Sequence, residues 1–302
     1  MQNRTLASAA SILAAMAIIG LIDQFVQVIA RTSSLWTFHL LRAAMMFAMA
    51  GAWLWLRGAR LRVHSWRGLA GRSLFMSTAM VIYFGALGFL PVAQAAAGLF
   101  SAPIWILVLS VTLFGLRIGP VRVVAALIGF AGVLLVLSPD PATIGPLTFV
   151  PIASGAFYAV AAIATREWCG AEQPLAIALG VFAGLALWGA GGIVVAGVLG
   201  EGTSYLTRGW VPPTGEVWFW TAVQAAGSLV AVTLLARGYQ LAEASLASVF
   251  EFSVLGFSAL FGWLVAGQAT GPLGLAGLAL IAFAGSLIAL RGGDAEAPAA
   301  AP

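Results

Sequence analysis

The side chains able to do chemistry in this sequence are few, and they interrupt long apolar runs. Asp23, Arg42 and Glu251 each fall inside a stretch long enough to cross a bilayer. A charge in hydrocarbon costs about 2.5–3.5 kcal/mol on insertion scales, so each needs a partner, water or a ligand. Asp23 lies about seven residues before the end of its run and Arg42 about seven after the start of the next, which at 1.5 Å per residue sets both roughly 10 Å below one membrane face. They are read as a candidate structural ion pair, with Asp23 facing substrate as the alternative. Glu251 is the most central acid. Either it is buried protonated or it receives the amine of a substrate.

Around these charges the spacing is helical. Gly20, Asp23 and Gln27 recur at i, i+3, i+7, as do Thr221, Gln224 and Ser228, so each set shares one stripe that should face protein or a water-filled cavity. Tyr83 and Trp105 are candidate aromatic walls of such a cavity, against the plainer reading that aromatic residues here face lipid or packing neighbours. Pro103 should kink its helix and free a backbone carbonyl. Glu243, beside Ser245, is read as a helix-start residue.

No pattern supports catalysis, a cofactor or a metal. His39 and His64 sit on separate segments, and no HExxH, CxxC or P-loop spacing occurs. The single cysteine, Cys169, excludes an internal disulfide and any cysteine cluster. The glycines of GPLGLAG (271–277) open an apolar run, where they permit close helix packing, and Gly180 and Gly184 form a GxxxG of the same kind.

The elements that must position these residues are transmembrane helices. Of 302 residues, 62% are hydrophobic and 8% charged, with mean hydropathy +1.03, far above what a soluble domain tolerates. Breaks at charges, prolines and polar clusters give ten spans, near 6–29, 35–56, 69–90, 93–115, 119–138, 146–165, 174–199, 215–236, 242–265 and 272–290. The net charge of +4 comes from arginines that lie mostly between spans, so they read as topology signals and not as a nucleic-acid surface. With the amino terminus inside, Arg4, Arg57, Arg60, Arg62, Arg67, Arg72, Arg117, Arg122, Arg166, Arg237 and Arg291 fall on the cytoplasmic side and only Arg31 and Arg208 outside. Both termini, and Cys169, are therefore expected to be cytoplasmic.

Segment 57–68 mixes arginine with Leu61, Val63 and Trp66, as either an interfacial segment or a basic loop would. Segment 200–216 carries Tyr205 and Trp210, which suits an outer aromatic belt, and the tail from Gly292 reads as disordered.

Setting residues 86–100 on 236–250 aligns ALGFLPVAQAAAGLF with ARGYQLAEASLASVF and brings Ser101 onto Glu251. Setting Gly20 on Gly155 brings Arg31 onto Arg166 and Asp23 onto Tyr158. Ser101 and Tyr158 thereby join the cavity candidates. The chain divides into residues 1–140 and 141–291, each of five spans, followed by the tail at 292–302, and an odd number of spans makes the two repeats inverted.

Two five-helix halves, short loops, Arg42 in the second span and the stretch AAGLFSAPIWILVLSVTLFGLRIGPVRVVAALIGFAGVLLVL (96–137) resemble the EamA-type branch of the drug/metabolite transporter superfamily, the bacterial aromatic amino-acid exporters in particular. The resemblance implies an all-α integral-membrane fold with a central cavity between inverted repeats, in the inner membrane of a bacterium. It implies alternating-access export of a small molecule, an amino acid or related metabolite; cationic drugs or other metabolites are the alternative, and a membrane enzyme or sensor a remote one. The family pattern places a proline in the fourth and ninth spans and a Glu about thirteen residues later. Here Pro103 is present, but Ser253, Arg117 and Gln268 occupy the other three places.

Overall fold

A computed structural model describes residues 2–200 and 202–291. Among the described residues ten helices are long and apolar enough to span a membrane: α1 (Arg4–Thr32), α2 (Leu35–Leu56), α3 (Trp66–Ala86), α4 (Val92–Thr112), α5 (Pro120–Leu137), α6 (Pro146–Glu167), α7 (Pro174–Leu199), α8 (Gly215–Leu241), α9 (Ala244–Val265) and α10 (Pro272–Arg291). No strand occurs among the described residues. The span count matches the hydropathic reading, with ends displaced by a few residues. The largest displacements are at α3, which starts and stops earlier than expected, and α8, which runs on to Leu241.

Local chemistry sets the helix starts. Ser34 and Ser65 cap α2 and α3 by accepting from the Thr37 and Gly68 amides at 3.1 Å. Prolines open α5, α6, α7 and α10, where the missing amide proton has no intrahelical partner to lose. Polarity is inverted relative to a soluble protein: Leu199 and Leu290 are 81% exposed, whereas Arg72 is 2% exposed and Gln224 fully buried.

The spans pair across the chain. α1 packs on α8 and α9, α6 on α3 and α4, α2 on α7, and α5 on α10, with α3·α7 and α2·α8 completing the set. Exchanging each helix for the one five places on leaves these pairs unchanged, although α7 also packs on α8 and α2 makes no comparable contact with α3. Small residues make the approaches close. At Gly132 and Gly277, on α5 and α10, a methyl would run into the other glycine's carbonyl, and on α7 a methyl at Gly180 or Gly184 would meet Ser73 or Ser77 of α3.

Three spans are broken. α1 passes through a 3₁₀ turn at Asp23–Phe25, α4 divides into Val92–Leu99 and Ala102–Thr112, and α9 into Ala244–Glu251 and Ser253–Ala266. Pro103 lies in the first turn after the break in α4. α9 breaks at the aligned place with Ser253 there instead of proline. The same device serves both breaks: Ser101 Oγ donates to Gly98 O and Ser253 Oγ to Phe250 O, each at 2.6 Å, covering a carbonyl that the break exposes.

One sequence reading needs correction. Arg72 and Arg122 are not free topology charges. Arg72 lies inside α3, and Arg122, 3% exposed, makes an ion pair with Glu243, which is thus more than a helix-start residue. Cys169 is fully buried, although it lies in the loop after α6.

Residues 57–65 form no helix, and their anchor is a residue the sequence did not single out. The buried Glu172 carboxylate accepts from the His64 amide at 2.9 Å and the Ser65 amide at 2.5 Å. Segment 203–211 is likewise tied down: the Leu35 amide donates to Tyr205 O (3.1 Å), Trp36 Nε1 to Leu206 O (2.9 Å) and Ser34 Oγ to Gly209 O (2.7 Å). The tail at 292–302 lies outside the described residues.

Candidate functional site

The three breaks converge on one internal cavity of about 180 Å³. Its polar lining divides into two groups. Asp23, Arg42, Tyr83 and Ser228 form one; Arg72, Tyr158 and Glu251 form the other. Between them lie methionines and aromatic rings, among them Met16, Met76, Met80, Phe100 and Phe182. Arg72 and Tyr83 are eleven residues apart on α3, as are Tyr239 and Ser228 on the antiparallel α8. Both separations correspond to ~16 Å along a helix axis. The cavity is thus an apolar chamber with a charged end toward each face of the bundle.

At the first end, Asp23 is exposed, although it lies well inside α1, and it lines the cavity. Its turn is held by Gln224, whose Nε2 donates to Ile22 O at 2.5 Å, while Gln24 Nε2 donates to Gly20 O and across to Ser258 O on α9. Arg42 donates to Ser228 Oγ, and its guanidinium lies 5.0 Å from the Phe182 ring centroid and 5.4 Å from that of Phe38. These cation–π contacts offset part of the cost of burying it. Among the described residues no nitrogen–oxygen contact within 4.0 Å joins Asp23 to Arg42; they share an end of the cavity instead. Tyr205 packs over this end, where burial pushes its phenol above the ordinary value against the pull of Arg42.

At the second end, Glu251 closes the first half of α9 and accepts two hydroxyl protons, from Tyr158 at 2.8 Å and from Tyr239. Hydrogen bonds to a charged acceptor are the stronger kind, so this acid is held without a basic partner. Arg72 donates from Nε to Thr165 Oγ1 at 3.0 Å, and Thr165 Oγ1 in turn donates to Ala161 O at 2.8 Å.

Of the residues singled out from sequence, Asp23, Arg42, Tyr83, Pro103, Tyr158, Ser228 and Glu251 line the cavity. Ser101 and Gln224 stand behind it, holding the breaks in α4 and α1. Trp105 packs against the hydrophobic core, and the Gln27 side chain lies outside the described residues. Sequence reasoning missed Arg72 and Tyr239. Both carried a signal: Arg72, Met76, Met80 and Tyr83 recur at helical spacing, and Tyr239 continues the stripe of Ser228 three turns on.

Comparison with known proteins places this architecture. Residues 6–138, covering α1 to α5, match the EamA-like transporter family. A riboflavin transporter of Rhizobium johnstonii is 27% identical over 234 residues, spanning 77% of this chain and 73% of that protein. An uncharacterized transporter of Helicobacter pylori is 27% identical over 223 residues, spanning 74% and 73%. A crystal structure with 20% identity superposes with a TM-score of 0.74 over 95% of this chain and 98% of its own, a likeness of fold. Ten membrane-length helices thus surround one cavity, and the first five of them carry the pattern of the EamA-like transporter family, which this chain resembles.

Proposed function

We propose that this protein carries a dipolar metabolite with an aromatic or apolar body across the bilayer by alternating access. The observation that carries the reading is the cavity itself: three broken helices wall an apolar chamber with a charged group at each end. Broken helices around a midplane site are how transporters present polar groups within the membrane. Residues 1–140 and 141–291 act as two inverted repeats that rock about this cavity. In support, most of the main helix contacts persist when each helix is exchanged for the one five places on, and the aligned Gly20 and Gly155 both lie against a broken helix of the other half.

The ~16 Å of helix that separates the charged ends is more than a free amino acid spans and leaves room for a larger heterocyclic cargo. The name of the Rhizobium relative agrees with such a cargo. Amino-acid export is the second reading, favoured by the acid and guanidinium that share the Asp23 end, where a zwitterion finds both partners. A cationic drug or metabolite would use Asp23 and leave Arg42 and Arg72 without a role. The direction is outward from the cytoplasm, with both termini inside and the protein in the bacterial inner membrane. The arginine asymmetry supports that orientation even without Arg72 and Arg122, since Arg57, Arg60 and Arg62 remain exposed.

Reconstituted vesicles preloaded in turn with riboflavin, phenylalanine and a quaternary amine test the reading. Riboflavin efflux above that of empty vesicles, abolished by Asp23→Ala, is the expected result. Efflux of phenylalanine alone selects the second reading, and of the amine alone overturns both. A pH gradient that drives accumulation identifies a proton antiporter.

A further inference from the structure

Arg72 is the charge in this molecule whose surroundings least account for it. It is 2% exposed, lines the cavity, and has no carboxylate within 4.0 Å among the described residues. Only Nε is engaged, by Thr165, and Nη1 is buried with no partner. A guanidinium buried in this way is costly, since the attraction of a nearby carboxylate does not offset its desolvation. Glu251 does not fill that role, because its own oxygens are taken by Tyr158 and Tyr239. The Thr165 hydroxyl spends its proton on Ala161 O, so a lone pair faces Arg72 Nε and fixes the plane of the fork.

We infer that Arg72 is a substrate-reading residue, with Thr165 as its positioning residue, and that its free guanidinium edge receives a planar pair of hydrogen-bond acceptors carried on an apolar ring. A carboxylate supplies such a pair, and so does the carbonyl and ring-nitrogen edge of a heterocycle; both match the fork of two parallel donors. The ring lies against Met76 and Phe100 in the chamber. This deepens the transport reading above and rests on it for the direction of movement, but the subsite itself is open to a binding experiment.

Full-length protein in nanodiscs is titrated with benzoate, for the carboxylate, and lumichrome, for the uncharged heterocycle edge. The variants are Arg72→Gln, Arg72→Lys, Thr165→Val and Thr165→Ser. Saturable binding of one probe to the wild type identifies the source of the acceptor pair. That affinity is expected to fall at least tenfold in Arg72→Gln and severalfold in Arg72→Lys, which keeps the charge and loses the fork. Thr165→Val is expected to weaken binding and Thr165→Ser to restore it, a rescue that a purely structural threonine would not require. Equal affinity in wild type and folded Arg72→Gln overturns the inference, as does a wild type that binds neither probe. Should Arg72→Gln not fold, Arg72→Lys and the Thr165 pair decide by the same comparison. Benzoate or lumichrome binding that depends on Arg72, in a protein that moves no riboflavin or phenylalanine, retains the subsite and rejects the cargo assignment. Transport of either compound with unaltered kinetics in Arg72→Gln does the reverse.

Discussion

Replacing Tyr239 by phenylalanine removes one of the two hydroxyls that hold the Glu251 carboxylate while leaving the ring in place. A hydrogen bond to a charged group contributes about 1.5–3 kcal/mol, a neutral one about 1 kcal/mol. Glu251 is half-buried and borders the cavity, so water there replaces part of the loss, and the lower end of the range applies. Tyr239→Phe should therefore cost about 1.5 kcal/mol in wild type. In a Glu251→Gln background the same change removes only a neutral bond, costing about 1 kcal/mol, so the pair should couple by about 0.5 kcal/mol. Reversible unfolding in mixed micelles of increasing SDS fraction, run as a double-mutant cycle, measures this directly. Tyr158→Phe forms an independent cycle with the same expectation. Glu251→Gln alone should leave abundance near normal and slow transport, since the half-buried acid borders the cavity. Additive losses within about 0.3 kcal/mol in both cycles would refute the account of how this acid is tolerated.

Four further outcomes follow from the packing. Neutralising Asp23 and Arg42 together should show a coupling below about 4 kcal/mol, the Coulomb limit for a contact at 4 Å and an effective dielectric of 20; a larger value in a double-mutant cycle would demand a direct ion pair. Glu172→Ala should free segment 57–65 and speed tryptic cleavage at Arg57, Arg60 or Arg62 severalfold, with unchanged proteolysis excluding the anchor. Gly277→Val should wedge α10 from α5 and lower stability by about 1–3 kcal/mol in thermal unfolding, whereas a neutral effect would mean these helices do not approach at Gly132. Because burial raises the Cys169 thiol above its ordinary value, its thiolate fraction at pH 8 is reduced. A thiol reagent should label native protein far more slowly than denatured protein, with the rate still rising above pH 9; rapid native labelling at pH 8 would place Cys169 at the surface.

The ten spans were legible in the sequence because length and hydropathy determine them without reference to neighbours. So were Asp23, Arg42 and Glu251, since a charge stands out against an apolar run. Arg72 was not, because it lies near the end of its span and an arginine there is also what a topology signal looks like. Its burial depends on α6, whose Thr165 is ninety-three residues away. Tyr239 had the same difficulty: phenol oxygens acquire meaning only when their acceptor is known. The break in α9 escaped a reading that looked for proline, because Ser253 performs the carbonyl capping that the altered backbone requires. Ser101 and Gln224 were recognised as polar residues in an apolar setting, but whether such a group faces a cavity or a backbone carbonyl is decided by rotation about the helix axis.

The pairing of helices across the chain bears on how the protein is made. α1 finds its main neighbours in α8 and α9, α2 in α7, α3 in α6 and α5 in α10, and the start of α2 is fastened by backbone groups of residues 205–209. A ribosome that has delivered five helices has therefore delivered almost none of their interfaces. Each early segment must wait in the bilayer, individually stable through its internal hydrogen bonds but laterally unassembled, until its partner emerges. Biogenesis thus has a late, concerted assembly step, and a nascent chain arrested after residue 140 should insert fully while remaining susceptible to quality-control proteases. The buried charges of the cavity sharpen this requirement: during the interval Arg42 lacks Ser228 and Phe182, and Arg72 lacks Thr165.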